Sequence, residues 1–146
     1  MNPHFLYLSW DRTNPNKNLT YRNDKFDSVE VKTSVGPYKN SYANCELEKN
    51  RIYYWEIKVI QGNYLKIGII KKSIIPELKS GAFSDNTNGY AYYSTGKLRN
   101  GSNSTGTDFS VGGYGPGDII KVQFNSKTGT LWFGKNKGEL EKGFEK

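Results

Sequence analysis

Apolar and polar side chains alternate along much of this chain. Between residues 52 and 60, Tyr53, Trp55, Ile57 and Val59 share one parity, and Tyr54, Glu56 and Lys58 the other. This spacing predicts an antiparallel strand with one face buried and one face wet. Gln61-Gly62-Asn63 supplies turn chemistry, and Leu65, Ile67 and Ile69 resume the alternation. The two runs together predict a β-hairpin. Weaker alternation places strands around Val29 and Val31, and around Ala43, Cys45 and Leu47. Ile120, Val122 and Phe124 predict another, followed by a Lys127-Thr128-Gly129 turn and a strand carrying Leu131 and Phe133. Residues 89–94 and 5–10 read as further strands. Short strands at this spacing, separated by Gly, Asn and Ser, predict an all-β sandwich.

Two stretches escape the pattern. Residues 95–117 are dense in Gly, Ser, Asn and Thr and read mostly as loop, with a short strand near Leu98. Long loops in compact domains usually carry function. Residues 12–18 read as an exposed connection. Only residues 74–79 suggest a helical turn, and Pro76 interrupts it.

Composition supports the strands. With 11 Tyr, 7 Phe and 3 Trp in 146 residues, large rings supply buried area that a 35 % hydrophobic content would otherwise leave short. The 16 Gly residues offer turn positions. A net charge of +7 suits nucleic acid, an acidic partner or a solvated surface. Lys71-Lys72 is the one adjacent basic pair, and acidic residues interleave with the rest. Diffuse solubilising charge is therefore the expected reading, and nucleic acid a disfavoured one.

Catalytic inventories fall short. His4 is the single histidine and Cys45 the single cysteine, the latter at a parity that predicts a buried thiol. This opposes both a disulfide and a Cys–His nucleophile. No Cys/His cluster or acidic Ca²⁺ loop suggests a metal, and no motif suggests a cofactor. The Gly-rich run 112–117 lacks the Lys-Ser/Thr ending of a phosphate loop and reads as a turn. No secretory leader or apolar membrane span is read, so an intracellular, cytoplasmic, non-enzymatic protein is expected. Sequons at Asn18, Asn100 and Asn103 carry little weight in so Asn-rich a chain.

The order of motifs is more specific than any one of them. Tyr53-Tyr54-Trp55-Glu56-Ile57, Ile67-Gly68-Ile69 and Gly89-Tyr90-Ala91-Tyr92 are followed by Tyr114-Gly115, Gly117-Asp118-Ile119-Ile120 and Gly129-Thr130-Leu131-Trp132-Phe133. Asn136-Lys137-Gly138 then stands at an Asn-Gly-like turn. This series resembles the SPRY domain of the B30.2 family over residues 28–144. The resemblance implies a concanavalin-like, bent antiparallel β-sandwich at 28–146, with 1–27 as an N-terminal strand and connecting loop. The family pattern continues past the position of Phe144. An end at Lys146 thus implies a fragment lacking its last strands or a sheet completed by a partner, and the fragment is the expected case.

The resemblance also implies a protein-interaction module that grips a peptide or folded protein through loops at one end. It would serve as a substrate receptor, for instance in ubiquitin ligation, or as a scaffold component. The contact residues carried over are Ser34, Pro37, Tyr38, Lys39 and Asn40 in one loop, Lys72, Ser73 and Pro76 in a second, and Asn100 and Asn103 in a third. Rival readings are a structural subunit of an assembly, a lectin-like carbohydrate binder and an RNA binder that stacks bases on Tyr54 or Tyr93. From the residues themselves, Trp55 is expected against the core. Gly68 is expected where another backbone comes close, and Gly117 and Gly129 where turns need positive φ.

Overall fold

The computed structural model describes residues 10–11, 19–21, 29–31, 39–79, 81–102 and 105–145. They fall into two units, Met1–Glu46 with Ile75–Ala82, and Leu47–Ile74 with Phe83–Lys146. The strand expected at 5–10 and the connection expected at 12–18 lie outside the described residues, apart from Trp10.

In the first unit, β1 (Leu19–Tyr21) pairs antiparallel with β2 (Val29–Val31), Leu19 opposite Val31. Trp10 forms an isolated bridge with Ala43, and the Asp11 N–H donates to the Tyr42 carbonyl at 2.7 Å. Among the described residues, the strand expected around Ala43, Cys45 and Leu47 reduces to that bridge. The alternation there records exposure: these three are half-buried, while Asn44, Glu46 and Glu48 are exposed. A ladder needs a partner strand as well as a sided sequence. Cys45 is correspondingly half-buried, not enclosed.

The second unit holds two four-stranded antiparallel sheets. One has the order β10-β9-β8-β3, from β3 (Ile52–Lys58), β8 (Ile119–Asn125), β9 (Thr130–Lys135) and β10 (Glu141–Phe144). The other has the order β4-β5-β6-β7, from β4 (Lys66–Ile70), β5 (Gly89–Tyr93), β6 (Lys97–Asn100) and β7 (Thr107–Asp108). Short 3-10 segments cover Lys72–Glu77 and Phe83–Asp85. The helical turn expected at 74–79 is thus present slightly earlier.

The predicted β3–β4 hairpin does not form. β3 pairs along its whole length with β8, from Ile52 opposite Asn125 to Lys58 opposite Ile119, while β4 pairs with β5. Val59 continues toward β8, donating to Asp118 O at 2.9 Å and accepting from Gly117 N at 2.8 Å. Gly62 (φ 112°) and Tyr64 (φ 57°) then turn the chain into the second sheet, where Leu65 O accepts from Ser94 N at 2.8 Å. Turn residues mark a reversal but do not say which sheet the next strand enters.

The core lies between these sheets. Ile67, Tyr92 and Leu98 from one meet Ile120, Val122, Leu131 and Phe133 from the other, with Trp55, Ile57 and Phe124 packed at its margin. The alternation in β3 is read correctly, since Tyr53, Trp55 and Ile57 are partly buried and Tyr54, Glu56 and Lys58 exposed. The stretch 95–117, expected to be mostly loop, contributes β6, β7 and two buried rings, Phe109 and Tyr114. The single proton of the Tyr114 hydroxyl is shared between two carbonyls, Tyr92 O at 2.8 Å and Leu65 O at 3.0 Å, and burial pushes its ionisation far above the ordinary phenol range.

Three glycine expectations hold. A Cβ on Gly68 would stand 1.8 Å from the Tyr90 carbonyl oxygen, so only Gly lets β4 and β5 approach as they do. Gly117 (φ 93°) and Gly129 (φ 72°) occupy positive-φ turn positions. Gly117 closes a turn in which Asp118 N donates to Gly115 O at 3.1 Å. The Asp118 carboxylate locks this corner by accepting from Gly115 N and from the Asn136 amide, each at 2.8 Å.

Two outcomes follow. Gly68→Ala clashes with backbone that no rotamer change can relieve, so it should destabilise by more than the ~3 kcal/mol upper end of ordinary overpacking, read as a shift in urea midpoint. The Asp118 carboxyl is held below the usual carboxylate range, first by the Asn136 hydrogen bond and next by the Gly115 N–H. A depressed folded pKa contributes stability that is present above the unfolded pKa and lost as pH falls through the folded one. The wild type should therefore lose more urea resistance between pH 7 and pH 3 than Asp118→Asn does, the two curves converging at the acid end.

Candidate functional site

β5 and β6 reach the end of the second unit where β10 finishes. There the core residue Leu98, with Tyr90 and Phe144 packed at the core's margin, lines an open hollow of about 490 Å³. The Tyr90 and Phe144 rings meet edge to face with centroids 5.3 Å apart. Thr87, Ser102 and Thr107 stand exposed around them. Asn100 closes the wall, Gly143 and Glu145 the β10 side. An apolar floor with a polar rim can take an apolar side chain while hydrogen-bonding the backbone that carries it.

Asn100 is the sequence-predicted contact that this hollow includes, but its part is internal. It is 7 % exposed, its amide donates to Thr87 O at 2.9 Å and Gly89 O at 2.7 Å, and its oxygen accepts from Ser102 N and Oγ. The side chain therefore shapes the β6–β7 connection. Asn40 is likewise 6 % exposed and donates to Leu78 O at 2.7 Å and Gly81 O at 2.5 Å, holding parts of the first unit together. Both were expected as outward polar contacts. A buried amide in a polar loop instead satisfies carbonyls that would otherwise be desolvated.

Lys72, Ser73 and Pro76 are exposed on the first 3-10 segment, and Lys39 is half-buried. Ser34, Pro37, Tyr38 and Asn103 lie outside the described residues. Sequence reasoning missed Tyr90, Leu98, Phe144 and Thr107. Their parity marks the first two as core-facing, and nothing in the alternation tells where a core ends and an open hollow begins.

The two tyrosines considered for base stacking each make a contact of their own, Tyr54 through its hydroxyl and Tyr93 through its ring face. The Tyr54 hydroxyl donates to Glu56 Oε2 at 2.6 Å, and burial together with this carboxylate pushes its pKa up to about 12. Lys66 Nζ sits 4.8 Å from the centre of the Tyr93 ring, and burial lowers the lysine pKa. On the same sheet, Lys97 pairs with Asp108 at 2.5 Å and Arg99 with Asp85 at 3.2 Å. This interleaving of signs weakens a phosphate-binding face. Among the described residues no three His, Cys, Asp or Glu side chains group as metal ligands, and no helix is long and apolar enough to cross a membrane.

Comparison with known proteins agrees with the fold. The SPRY domain model matches residues 52–146. The protein ssh4 of Neurospora crassa is 30 % identical over 124 residues, covering 77 % of this chain and 23 % of that protein. The ssh4 proteins of Neosartorya fischeri and Aspergillus fumigatus are each 31 % identical over the same shares. The chain thus spans about a quarter of the length of these curated relatives. The crystal structure of the SPRY domain of human HERC1 superposes with a TM-score of 0.64 at 15 % identity, covering 94 % of this chain and 81 % of that one, a likeness of fold. Motif order, sheet topology and the matched residues agree, and the chain belongs to the SPRY domain family.

Proposed function

We propose that this chain binds a partner polypeptide, as the substrate-recognition or scaffold component of a larger protein. SPRY domains are generally protein-interaction modules. The observation that carries the reading is the hollow at the β6–β7 end, with Tyr90, Leu98 and Phe144 as its apolar floor beneath Thr87, Ser102 and Thr107. A partner side chain would gain from leaving water there, and the rim would fix its backbone. The exposed Lys72 and Ser73, and the loop positions Ser34, Pro37, Tyr38 and Asn103 carried over from the family resemblance, are proposed as further contacts, each on its own account. In this reading residues 28–146 form the module and 1–27 an accessory strand and loop. No catalytic group is assigned, and binding without turnover is the activity proposed.

Affinity capture from the native source tests this. Ser102→Arg and Thr107→Arg crowd the hollow from its exposed rim and should lower recovery of the captured protein about tenfold or more, whereas Lys137→Glu in the β9–β10 turn should leave it unchanged. Recovery unaffected by both rim changes, by Lys72→Glu and by Pro37→Ala with Tyr38→Ala defeats the reading. So does a catch removed by nuclease or by a modest rise in salt, since counterion release dominates nucleic-acid affinity.

A further inference from the structure

The two sheets of the second unit end in four edge strands, and three of them are unsuited to further pairing. β7 has two residues. β10 has four, with a register shift between Lys142 and Phe144. β4 has five, in regular register, but carries Gly68 at its centre, which weakens a strand. β3 has seven, all in regular register, with neither Pro nor Gly.

Hydrogen bonds at both ends of β3 fix which way its backbone groups point. Ser126 N donates to Arg51 O at 2.8 Å, and Val59 N to Asp118 O at 2.9 Å. Odd-numbered residues therefore face β8. The N–H and C=O groups of Ile52, Tyr54, Glu56 and Lys58 face the open edge, where the described residues provide no further strand. The side chains of these same residues lie on the exposed face. Tyr54 is 51 % exposed, and Ile60, next in the series, 64 %. A long, bulge-free edge with apolar side chains is a template for another strand.

We propose that this edge pairs with the same edge of a second copy of the chain, antiparallel about a two-fold axis at Ile57. The register follows from the side chains. With Ile57 opposite itself, Glu56 faces Lys58 of the other copy and Tyr54 faces Ile60, and the symmetry repeats both contacts. These even-numbered pairs are also the ones whose backbone groups point across the junction, so opposite charges, apolar contacts and backbone hydrogen bonds coincide. Directly opposed charges of opposite sign favour a strand pair, and like charges oppose it. Such an interface is isologous and closes at two copies, joining the two β10-β9-β8-β3 sheets into one. It is separate from the hollow at the β6–β7 end and does not depend on the partner proposed there.

Sedimentation velocity of the 146-residue chain across a concentration series is the test, in about 0.15 M salt so that the net charge is screened beyond about 8 Å. The expected result is a monomer–dimer equilibrium. Glu56→Lys or Lys58→Glu alone sets like charges opposite each other twice by symmetry and should weaken the dimer about tenfold. The double exchange Glu56→Lys with Lys58→Glu should restore it, and Lys142→Glu on the far edge should have no effect. Amide exchange reads the same edge directly: the N–H groups of Tyr54, Glu56 and Lys58 should slow as concentration rises, while those of Trp55 and Ile57 stay slow throughout. A chain that remains monomeric to millimolar concentration overturns the proposal. So does a dimer indifferent to the charge exchanges, or slow exchange at Tyr54, Glu56 and Lys58 in the monomer.

Discussion

The second unit is organised around the Tyr92 side chain. It is fully buried, with ring centroids 4.7 Å from Tyr114, 5.1 Å from Phe109 and 5.4 Å from Phe133. Phe133 belongs to the opposite sheet, so one tilted contact joins both layers, while Phe109 and Tyr114 bring in the segment after β7. Rings at such angles add attraction beyond the area they bury. The polar atoms are accommodated as well. The Tyr92 hydroxyl donates to Gly112 O, and the Tyr114 hydroxyl reaches the Tyr92 and Leu65 carbonyls. Burial, with a smaller contribution from Asp118, pushes the Tyr92 pKa up to about 12, so both phenols stay neutral donors at physiological pH.

Because these rings tie a Gly-rich segment to the core, the chain can carry long irregular connections without losing register. Phe109 N donates to Gly96 O, Gly112 N to Phe109 O and Tyr114 N to Ser94 O, each at 3.0 Å. The Asp118–Asn136 bond then joins the 115–118 turn to the β9–β10 turn, and Asn136 Oδ1 accepts from Ile119 N at 2.8 Å. One end of the sandwich is thus closed by backbone and side-chain hydrogen bonds. The other end opens into the hollow over Tyr90, Leu98 and Phe144. A rigid scaffold with one tied end and one open end suits recognition by loops, since the fold does not have to yield for the loops to vary.

Charge has a supporting role. Lys97, Arg99 and Lys66 would form a basic strip on the second sheet, but Asp108, Asp85 and the Tyr93 ring engage them in turn. The exposed Lys97–Asp108 pair contributes little stability. These contacts do set a carboxylate beside Lys97 and another beside Arg99, which weakens this strip as a site for polyanions.

Period-two alternation alone determined which side chains β3, β8 and β9 turn inward, because a strand with one wet face must sort its residues by parity. Gly117, Gly129 and Gly68 were legible for a related reason, since few other residues tolerate positive φ and none but Gly tolerates a carbonyl at the Cβ position. Strand partnership was not legible. Gln61-Gly62-Asn63 looks the same whether the next strand stays in its sheet or crosses to the other, and only the β3–β8 register decides between them. The places of Asn40 and Asn100 were hidden likewise, because an amide in a polar loop reads as exposed until the carbonyls it must satisfy are brought to it from residues 38 and 11 positions away. Parity is a local property of the chain. Pairing, enclosure and the opening of the hollow depend on residues distant in sequence, and tertiary structure alone decides them.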